Sequence, residues 1–180
     1  MKLSEITATR LKLRPLTYDD TEDIFEIFSD AEVTRYWGHD TLQKREEARD
    51  FIEKTISGAK DGSLLEWGII ENETQHLIGV CAFAGWNREH RRAELGFALH
   101  KDYWGKKYMS ELLPVFISYG FKELKLHRIE ADVDPRNLAS IKLLEKFGFQ
   151  KEGYLRECYH INGEIQDALF YGLLEKDFSS

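Results

Sequence analysis

Two hydrophobic periods alternate along the chain, and together they predict its secondary-structure elements. Leu11 and Leu13 are separated and flanked by basic residues, which predicts a first strand with one apolar face. Apolar residues then recur at helical spacing in segments 17–28 and 44–57, which predicts two helices. Three strand-like runs follow with turn-forming residues between them, as in an antiparallel meander. These runs are Leu64–Ile70, Leu77–Trp86 and Ala93–Leu99.

Beyond residue 100 the pattern predicts two more helices with a strand between them. The first of these helices covers Ser110–Leu124, and because Pro114 removes a backbone donor, the helix either starts late or bends there. The segment Arg128–Val133 has the period of a strand. Asn137 is then placed to cap the second helix, and Gly148 is placed to end it.

The last two predicted strands form a hairpin. Phe149–Ile161 and Ile165–Leu174 flank Asn162-Gly163, a pair typical of a type I′ turn. The complete order is β-α-α-β-β-β-α-β-α-β-β. It predicts an α/β fold, or more narrowly an α+β mixed sheet, in which a helical crossover follows the meander. We expect one domain over residues 1–180, with its core at about 8–176.

Composition narrows the range of functions. The formal net charge of −7 argues against a nucleic-acid partner and is compatible with a cationic substrate. No apolar run approaches the roughly 18 residues of a membrane helix, and the N-terminus lacks the apolar stretch of a signal peptide. Cys81 and Cys158 lie far apart, so we expect two reduced structural thiols in a cytoplasmic protein.

The segment Tyr103–Glu111 follows a predicted strand and opens a predicted helix. The first turn of a helix has free N–H groups and a positive dipole end, which suit a pyrophosphate. Gly105 would allow a tight turn, and Lys106 and Lys107 would add positive charge. An ordinary turn with two solvated lysines is the alternative interpretation of the same residues.

Several segments in this order resemble the RimJ/RimL-like branch of the GNAT acetyltransferases, over residues 8 to about 176. They are Thr9–Leu16, Ala93–Phe97, Tyr103–Tyr108, Asn137–Ser140, Glu145–Phe149 with Glu152-Gly153, and Asn162-Gly163 with Asp167 and Tyr171. The resemblance implies the GNAT fold, acetyl-CoA as cosubstrate without a metal, and acetylation of a primary amine, with a homodimer possible. A protein N-terminal α-amine is the first expectation. The alternatives are a polyamine, an antibiotic or another small amine, and a non-catalytic acyl-CoA-binding module.

The resemblance also implies where acetyl-CoA binds. The pyrophosphate would lie on Trp104, Gly105, Lys106, Lys107, Tyr108 and Met109, and the pantetheine arm would pair with Phe97, Ala98 and Leu99, where two strands splay apart. Asn137 would flank the arm. Apart from the resemblance, Lys142 could meet the nucleotide phosphate of CoA, and a solvated helix face is the alternative for this residue. Lys107 and Met109 replace the small residues usual in this loop. A positive φ at Lys107 would be strained, because lysine has a Cβ.

Two residues are candidates for proton transfer. Glu94 could take the proton of the amine, directly or through water, although a strand glutamate paired with Arg91 or Arg92 is the alternative. Many family members have a tyrosine at the position of Leu144, which protonates the departing thiolate. Leucine cannot donate a proton, so Ser140 is the expected substitute, and a simple first-turn serine is the alternative.

The acceptor side is expected in the segment Thr17–Glu53, which holds 12 acidic against 4 basic residues. By the resemblance, its two helices and their connecting loop form one wall of the acceptor site, and an acidic wall would attract a cationic amine. Trp37 and His39 in this loop are the expected substrate contacts. For the acidic residues, the alternative is the polar face of two amphipathic helices. For the aromatic residues of the loop, the alternative is packing in the core. None of the six histidines has metal-ligand spacing, so we expect no metal.

Overall fold

A computed structural model describes residues 3–178, which form an eight-stranded mixed sheet with helices on both faces. In the sheet the strands follow the order β1-β2-β3-β4-β5-β6-β8-β7, and among the described residues only β5 and β6 run parallel. The strands are β1 Ile6–Thr7, β2 Leu11–Pro15, β3 Leu64–Glu71, β4 Leu77–Asn87, β5 Arg92–Leu99, β6 Arg128–Val133, β7 Gln150–Ile161 and β8 Glu164–Leu174.

Five α-helices among the described residues cover the sheet, and short 3-10 turns precede α1, precede α4 and follow β8. They are α1 Thr21–Phe28, α2 Ala31–Thr34, α3 Arg45–Asp61, α4 Tyr108–Lys122 and α5 Leu138–Lys146. Apolar residues of α1 and α3 pack with Val80 and Ala98 on one face of the sheet. Residues of α4 and α5 pack on the other face, where the rings of Phe83 and Phe116 stack at 4.3 Å between centroids. The sheet thus separates two apolar layers.

The predicted mixed sheet and the order of its long elements are confirmed, with differences at the boundaries. The two-residue strand β1 and the four-residue helix α2 are additional elements. Helix α3 continues to Asp61, past the predicted end at Ser57, because its last turn packs beneath β3 through Gly58. A late start for α4 is wrong, since this helix begins at Tyr108 and Pro114 lies in its interior.

The local turn and cap predictions are confirmed. Asn137 caps α5, where its side-chain oxygen accepts a hydrogen bond from the Ser140 N–H at 3.1 Å. Asn162 and Gly163 both have positive φ, at 51° and 76°, as a type I′ turn requires. These features depend only on near neighbours in the chain, which explains why sequence reasoning found them.

The one parallel strand pair is also where the sheet opens. Strands β5 and β6 pair at three positions only, and the last pair joins Glu94 to Glu130. Beyond that pair, β5 continues to Leu99 along β4, and β6 continues to Val133 along β8. Each strand therefore has backbone groups that face a gap instead of a neighbouring strand, and such groups need another partner.

Candidate active site

A cleft of about 660 Å³ opens at this gap in the sheet. Its lining comes from the end of β5, the loop before α4, the start of α5 and the segment that contains α2. A smaller cavity of about 120 Å³ lies between the splayed strands. The two cavities adjoin each other, because they share the five lining residues Tyr36, Trp37, Phe97, Asn137 and Ser140.

The loop before α4 contains two residues in the left-handed region of backbone conformation. Gly105 and Lys107 have positive φ, at 74° and 63°, and α4 begins at the next residue, Tyr108. The strain expected at Lys107 is therefore present in the structure. Five residues of this loop that were assigned to acetyl-CoA line the cleft, namely Trp104, Gly105, Lys107, Tyr108 and Met109. The first-turn N–H groups of α4 have no intrahelical acceptor and suit a phosphate.

Arg10 braces this loop from β2. Its Nη2 donates to the carbonyl oxygen of Lys106 at 3.2 Å, and its Nε donates to Glu111 of α4 at 2.7 Å. The guanidinium also lies 4.4 Å from the centroid of the Tyr108 ring, and the Tyr108 hydroxyl donates to Glu71. The loop is thus held by the protein itself. Sequence reasoning missed Arg10, whose contacts are more than 90 positions away along the chain.

The end of β5 forms the floor of the cleft. Phe97, Ala98 and Leu99, the residues expected to pair with the pantetheine arm, all line it. The indole Nε1 of Trp104 donates to the Leu99 carbonyl oxygen at 2.8 Å, so this carbonyl already has a partner. The Trp104 ring is half exposed, with 49% of its surface accessible. A flat apolar surface therefore lies where the loop meets the strand end.

Helix α5 brings Ser140 to the junction of the two cavities, with Asn137 beside it. Leu144, one turn further on, is buried and lines the smaller cavity. The Leu144 side chain has no proton to donate. Ser140 is the residue of α5 that has a hydroxyl group. Lys106 and Lys142 do not line either cavity; Lys142 is exposed, and the Lys106 ammonium lies 4.7 Å from the Tyr103 ring centroid.

Glu94 is the last β5 residue that pairs with β6. Its side chain is exposed beside the cavities and does not line them. Partial desolvation, and then the charges of Asp132 and Glu130, raise the pKa of Glu94. The arginines considered as its partners are engaged elsewhere, because Arg92 pairs with Glu130 at 2.8 Å. Among residues 3–178, the Glu94 side chain makes no hydrogen bond or ion pair, so its carboxyl group is available to an incoming donor.

The neighbour of Glu94, Asp132, is a residue that sequence reasoning missed. It lies on β6 and lines the smaller cavity. The Tyr159 hydroxyl donates to its Oδ2 at 2.5 Å, and desolvation followed by this bond raises the pKa of Tyr159. The signal in the sequence was a carboxylate between apolar residues of a strand that ends four residues before the α5 cap. The pairing with Tyr159 of β7 had no such signal.

The two residues expected to contact substrate lie in different surroundings. Trp37 lines both cavities, and its ring packs against Phe28 at 5.4 Å between centroids. Its Nε1 is buried and has no hydrogen-bond partner in the described structure. His39 is exposed and lines neither cavity; desolvation, and then the charge of Lys54, lower its pKa. The structure therefore brings Trp37 to the cleft and leaves His39 outside it.

The acidic segment Thr17–Glu53 contributes less to the cleft than its charge suggested. Several of its carboxylates pair with cations of the fold, as Asp20 does with Arg14 at 2.6 Å and Asp30 with Lys101 at 2.6 Å. Of its acidic residues, Glu32 lines the cleft.

Three further observations describe the molecule outside the cleft. Within residues 3–178, no group of three or more His, Cys, Asp or Glu side chains is arranged to hold a metal ion. No helix in the same range combines the length and apolarity needed to cross a membrane. Both cysteines are free, but Cys158 is exposed on β7 and has no structural packing role, unlike the buried Cys81.

Comparisons with known proteins agree with this geometry. A family model described as an acetyltransferase (GNAT) domain matches residues 10–150. The uncharacterized N-acetyltransferase p20 of Bacillus licheniformis is 38% identical over 94% of this chain and 96% of its own length. The [ribosomal protein uS5]-alanine N-acetyltransferase of Escherichia coli is 32% identical over 67% of this chain and 62% of its own length.

A solved structure extends the comparison to a bound cofactor. Spermidine N-acetyltransferase from Vibrio cholerae, solved in complex with CoA and spermine, superposes with a TM-score of 0.83. It is 27% identical, with 93% of this chain and 97% of that chain covered. Fold, cleft and relatives lead to one conclusion: the chain belongs to the GNAT family and is an acetyl-CoA-dependent N-acetyltransferase.

Proposed function

We propose that this enzyme acetylates the α-amine at a protein N-terminus, as a member of the RimJ/RimL-like branch. The observation that supports transfer chemistry most directly is that the two cavities adjoin each other. One cavity begins at the helix N-terminus suited to phosphate, and the other is lined by Asp132, with the Glu94 carboxyl group close by. A thioester that lies across their junction would meet the acceptor amine there, with Ser140 on one side and Glu94 near the other.

In this proposal acetyl-CoA lies with its pyrophosphate over the first turn of α4. Gly105, Lys107 and Met109 line that part of the cleft, and Phe97 and Ala98 offer strand backbone to the pantetheine arm. Lys106 adds positive charge without direct contact. Lys142 is exposed on α5, where it could meet the nucleotide phosphate only at the outer end of the cofactor.

The transfer needs one proton acceptor and one proton donor. The neutral amine attacks the acetyl carbonyl carbon, a C–N bond forms, and the carbonyl electron pair moves to oxygen. Glu94 takes the proton of the resulting ammonium, directly or through water. The adduct then collapses, the C–S bond breaks, and the CoA thiolate takes a proton either from water that Ser140 positions or through the Ser140 hydroxyl, which regains its proton from water. No covalent acetyl-enzyme is required.

The choice of an α-amine rests on proton affinity. A peptide α-amine has a pKa of about 7.7–8.0, so about a tenth is neutral at pH 7, whereas a lysine amine near 10.4 is neutral in about one molecule per few thousand. The candidate groups for proton transfer are one exposed carboxylate and one serine. Such weak groups suit the less basic amine, because it loses its proton more readily. The uS5-alanine enzyme among the relatives acts on a ribosomal protein, as its name states.

A polyamine is the second candidate, because carboxylates gather at the acceptor end of the cleft. Asp132 and Glu130 lie close enough to Glu94 for their charges to act on it, and Glu32 lines the larger cavity. Such a field attracts a polycation. The V. cholerae enzyme with bound spermine has a similar fold.

The deciding experiment measures CoA release with three acceptors at equal concentration. These are a short lysine-free peptide with a free N-terminus, an N-blocked peptide with one lysine, and spermidine. We expect the free N-terminus to give the highest kcat/KM. Fastest turnover of spermidine or of the blocked peptide would contradict the N-terminal assignment. An acetyl-CoA-dependent rise in Tm without turnover of any acceptor would indicate a binding module instead.

A further inference from the structure

Asp132 lies at the point where the sheet has just opened. The last β5–β6 pair ends at Glu130, and Asp132 is two residues further along β6, on the same side of the strand. There it lines the smaller cavity together with Gly96 and Leu144. The backbone gap that receives the reacting groups and the Asp132 side chain therefore belong to the same space.

The two oxygens of Asp132 are in different situations. Oδ2 accepts the hydrogen bond of the Tyr159 hydroxyl at 2.5 Å. Oδ1 is shielded from solvent and has no hydrogen-bond partner in the described structure. An unpaired buried carboxylate oxygen is costly, because it has lost water without gaining another donor. This oxygen needs an N–H or O–H donor, and the cavity beside it is the route by which one can arrive.

Within residues 3–178, no arginine or lysine forms an ion pair with Asp132. Arg92 pairs with Glu130 at 2.8 Å, and Arg128 is divided between Glu130 and Glu152 at 2.8 and 2.5 Å. Both arginines thus neutralise other carboxylates of this region. The charges of Asp132 and Glu94 act on each other, so Glu94 adds to the negative potential near Asp132. The field at Oδ1 therefore favours a donor that is positively charged or polarised, as an amine is.

We propose that Asp132 binds the acceptor amine through Oδ1, with Tyr159 holding the carboxylate in the required orientation. This inference rests on the proposed acetyl transfer. It adds the residue that binds the acceptor amine, which is the nucleophile of the reaction. A hydrogen bond from one amine N–H to Oδ1 fixes the nitrogen in the gap between β5 and β6. Ser140 lines the same cavity from α5, on the side where the thiolate departs. Asp132 positions the amine, and Glu94 remains the group that removes its proton.

The test compares the kcat/KM of Asp132→Asn with that of Glu130→Gln, and both are measured with the acceptor that the wild type acetylates fastest. Both variants remove one negative charge from β6, but the Glu130 oxygens already have arginine partners. We expect Asp132→Asn to lower kcat/KM for the amine by about 10–100-fold, because a charge-assisted hydrogen bond is lost. The Kd for acetyl-CoA, measured by calorimetry, should stay within about twofold, since the phosphate loop is untouched. Glu130→Gln should lose less than Asp132→Asn.

A second variant tests the orientation. Tyr159→Phe keeps the ring and removes the hydroxyl, so the carboxylate can rotate; we expect a rise in the amine KM with an unchanged Kd for acetyl-CoA. Asp132→Asn that retains wild-type kcat/KM would overturn the inference and show that only water occupies this oxygen, while leaving the enzyme assignment intact. Equal losses in Asp132→Asn and Glu130→Gln would also overturn it, in favour of a general field effect.

If the wild type acetylates none of the acceptors, the proposed function is wrong. The inference about Asp132 is then tested by the binding of an amine instead of by turnover. Spermidine is then titrated into the CoA-bound protein by calorimetry. Weaker binding to Asp132→Asn than to the wild type supports the inference. Equal binding to both, or no binding to the wild type, overturns it.

Discussion

Asp40 and Asn162 are hydrogen-bonded although 122 positions separate them in the chain: the Asn162 N–H donates to Asp40 Oδ1 at 2.7 Å. Beside this bond, the Thr41 N–H donates to the Asn162 side-chain oxygen at 3.1 Å. The two bonds join the β7–β8 turn to the loop between α2 and α3, which carries Trp37. The hairpin therefore holds one wall of the active site.

Asp40→Ala should weaken this wall. One exposed hydrogen bond contributes about 0.5–1.5 kcal/mol, so we expect the amine KM to rise about 2–10-fold. The KM for acetyl-CoA should change less, because the phosphate loop is braced separately by Arg10. Steady-state kinetics with each substrate varied in turn will measure both values. Asn162→Gly keeps the turn and the N–H donor but loses the bond from Thr41, so it should raise the amine KM by a similar factor. An unchanged amine KM in both variants would contradict the expectation.

Glu94→Gln should lower kcat by about 10²–10⁴-fold if Glu94 is the base. The wild-type rate should fall on acidification as Glu94 is protonated, at a pH above the ordinary glutamate range because its pKa is raised. The variant should lose that dependence and recover part of its rate at high pH, where the amine deprotonates unaided. Glu89→Gln, an exposed turn residue, is the charge-matched control. Wild-type turnover of Glu94→Gln at neutral pH would leave Glu94 without a catalytic role.

Lys107→Gly should stabilise the protein. Lys107 has φ of 63°, a conformation that costs a residue with a Cβ about 1 kcal/mol and costs glycine almost nothing. We expect Tm to rise by about 2–4 °C. Lys106→Gly removes the same charge from a position without positive φ, so it should lower Tm. Thermal unfolding of both variants measures the difference, and a Tm change of the same sign in both would refute the explanation by strain.

Glu66 should make the enzyme less stable as the pH rises. Its carboxyl group is buried beneath α3, and burial raises its pKa from 4.5 to about 7. Between these values the folded protein holds a proton that the unfolded chain has released, so the free energy of unfolding falls as the pH rises from 4.5 to 7. The full effect, up to about 3 kcal/mol, is present above pH 7. Glu66→Gln should therefore stabilise at pH 8 and change little at pH 5, by urea unfolding.

Thr55→Val gives the opposite test of the same pair. The Thr55 hydroxyl donates to Glu66 Oε2 at 2.6 Å and favours the ionised carboxylate. Without it, the cost of ionisation grows, so the variant should lose more stability at pH 8 than at pH 5. Equal losses at both values would show that Thr55 contributes by packing alone.

The sequence by itself determined most of the elements and the family. Hydrophobic periods and local turn chemistry predicted the α5 cap at Asn137, the Asn162-Gly163 turn and the long strands, because these depend on residues near one another in the chain. The segments around Gly105 and Ser140 were likewise found, since their motifs are continuous. Boundaries failed where packing decided them, as at the end of α3 and around Pro114.

Only the tertiary structure decided which side chains share the site. Asp132 became a candidate site residue because it contacts Tyr159 and lies where β5 and β6 separate. Neither feature can be predicted from the hydrophobic period of one strand. The structure also left His39 outside the cleft and brought Trp37 into it, although the two lie in one loop. Side chains meet across the sheet through strand pairing and helix packing, which act between residues far apart in the chain. Local patterns can therefore specify each element, but not the contacts that turn the elements into an active site.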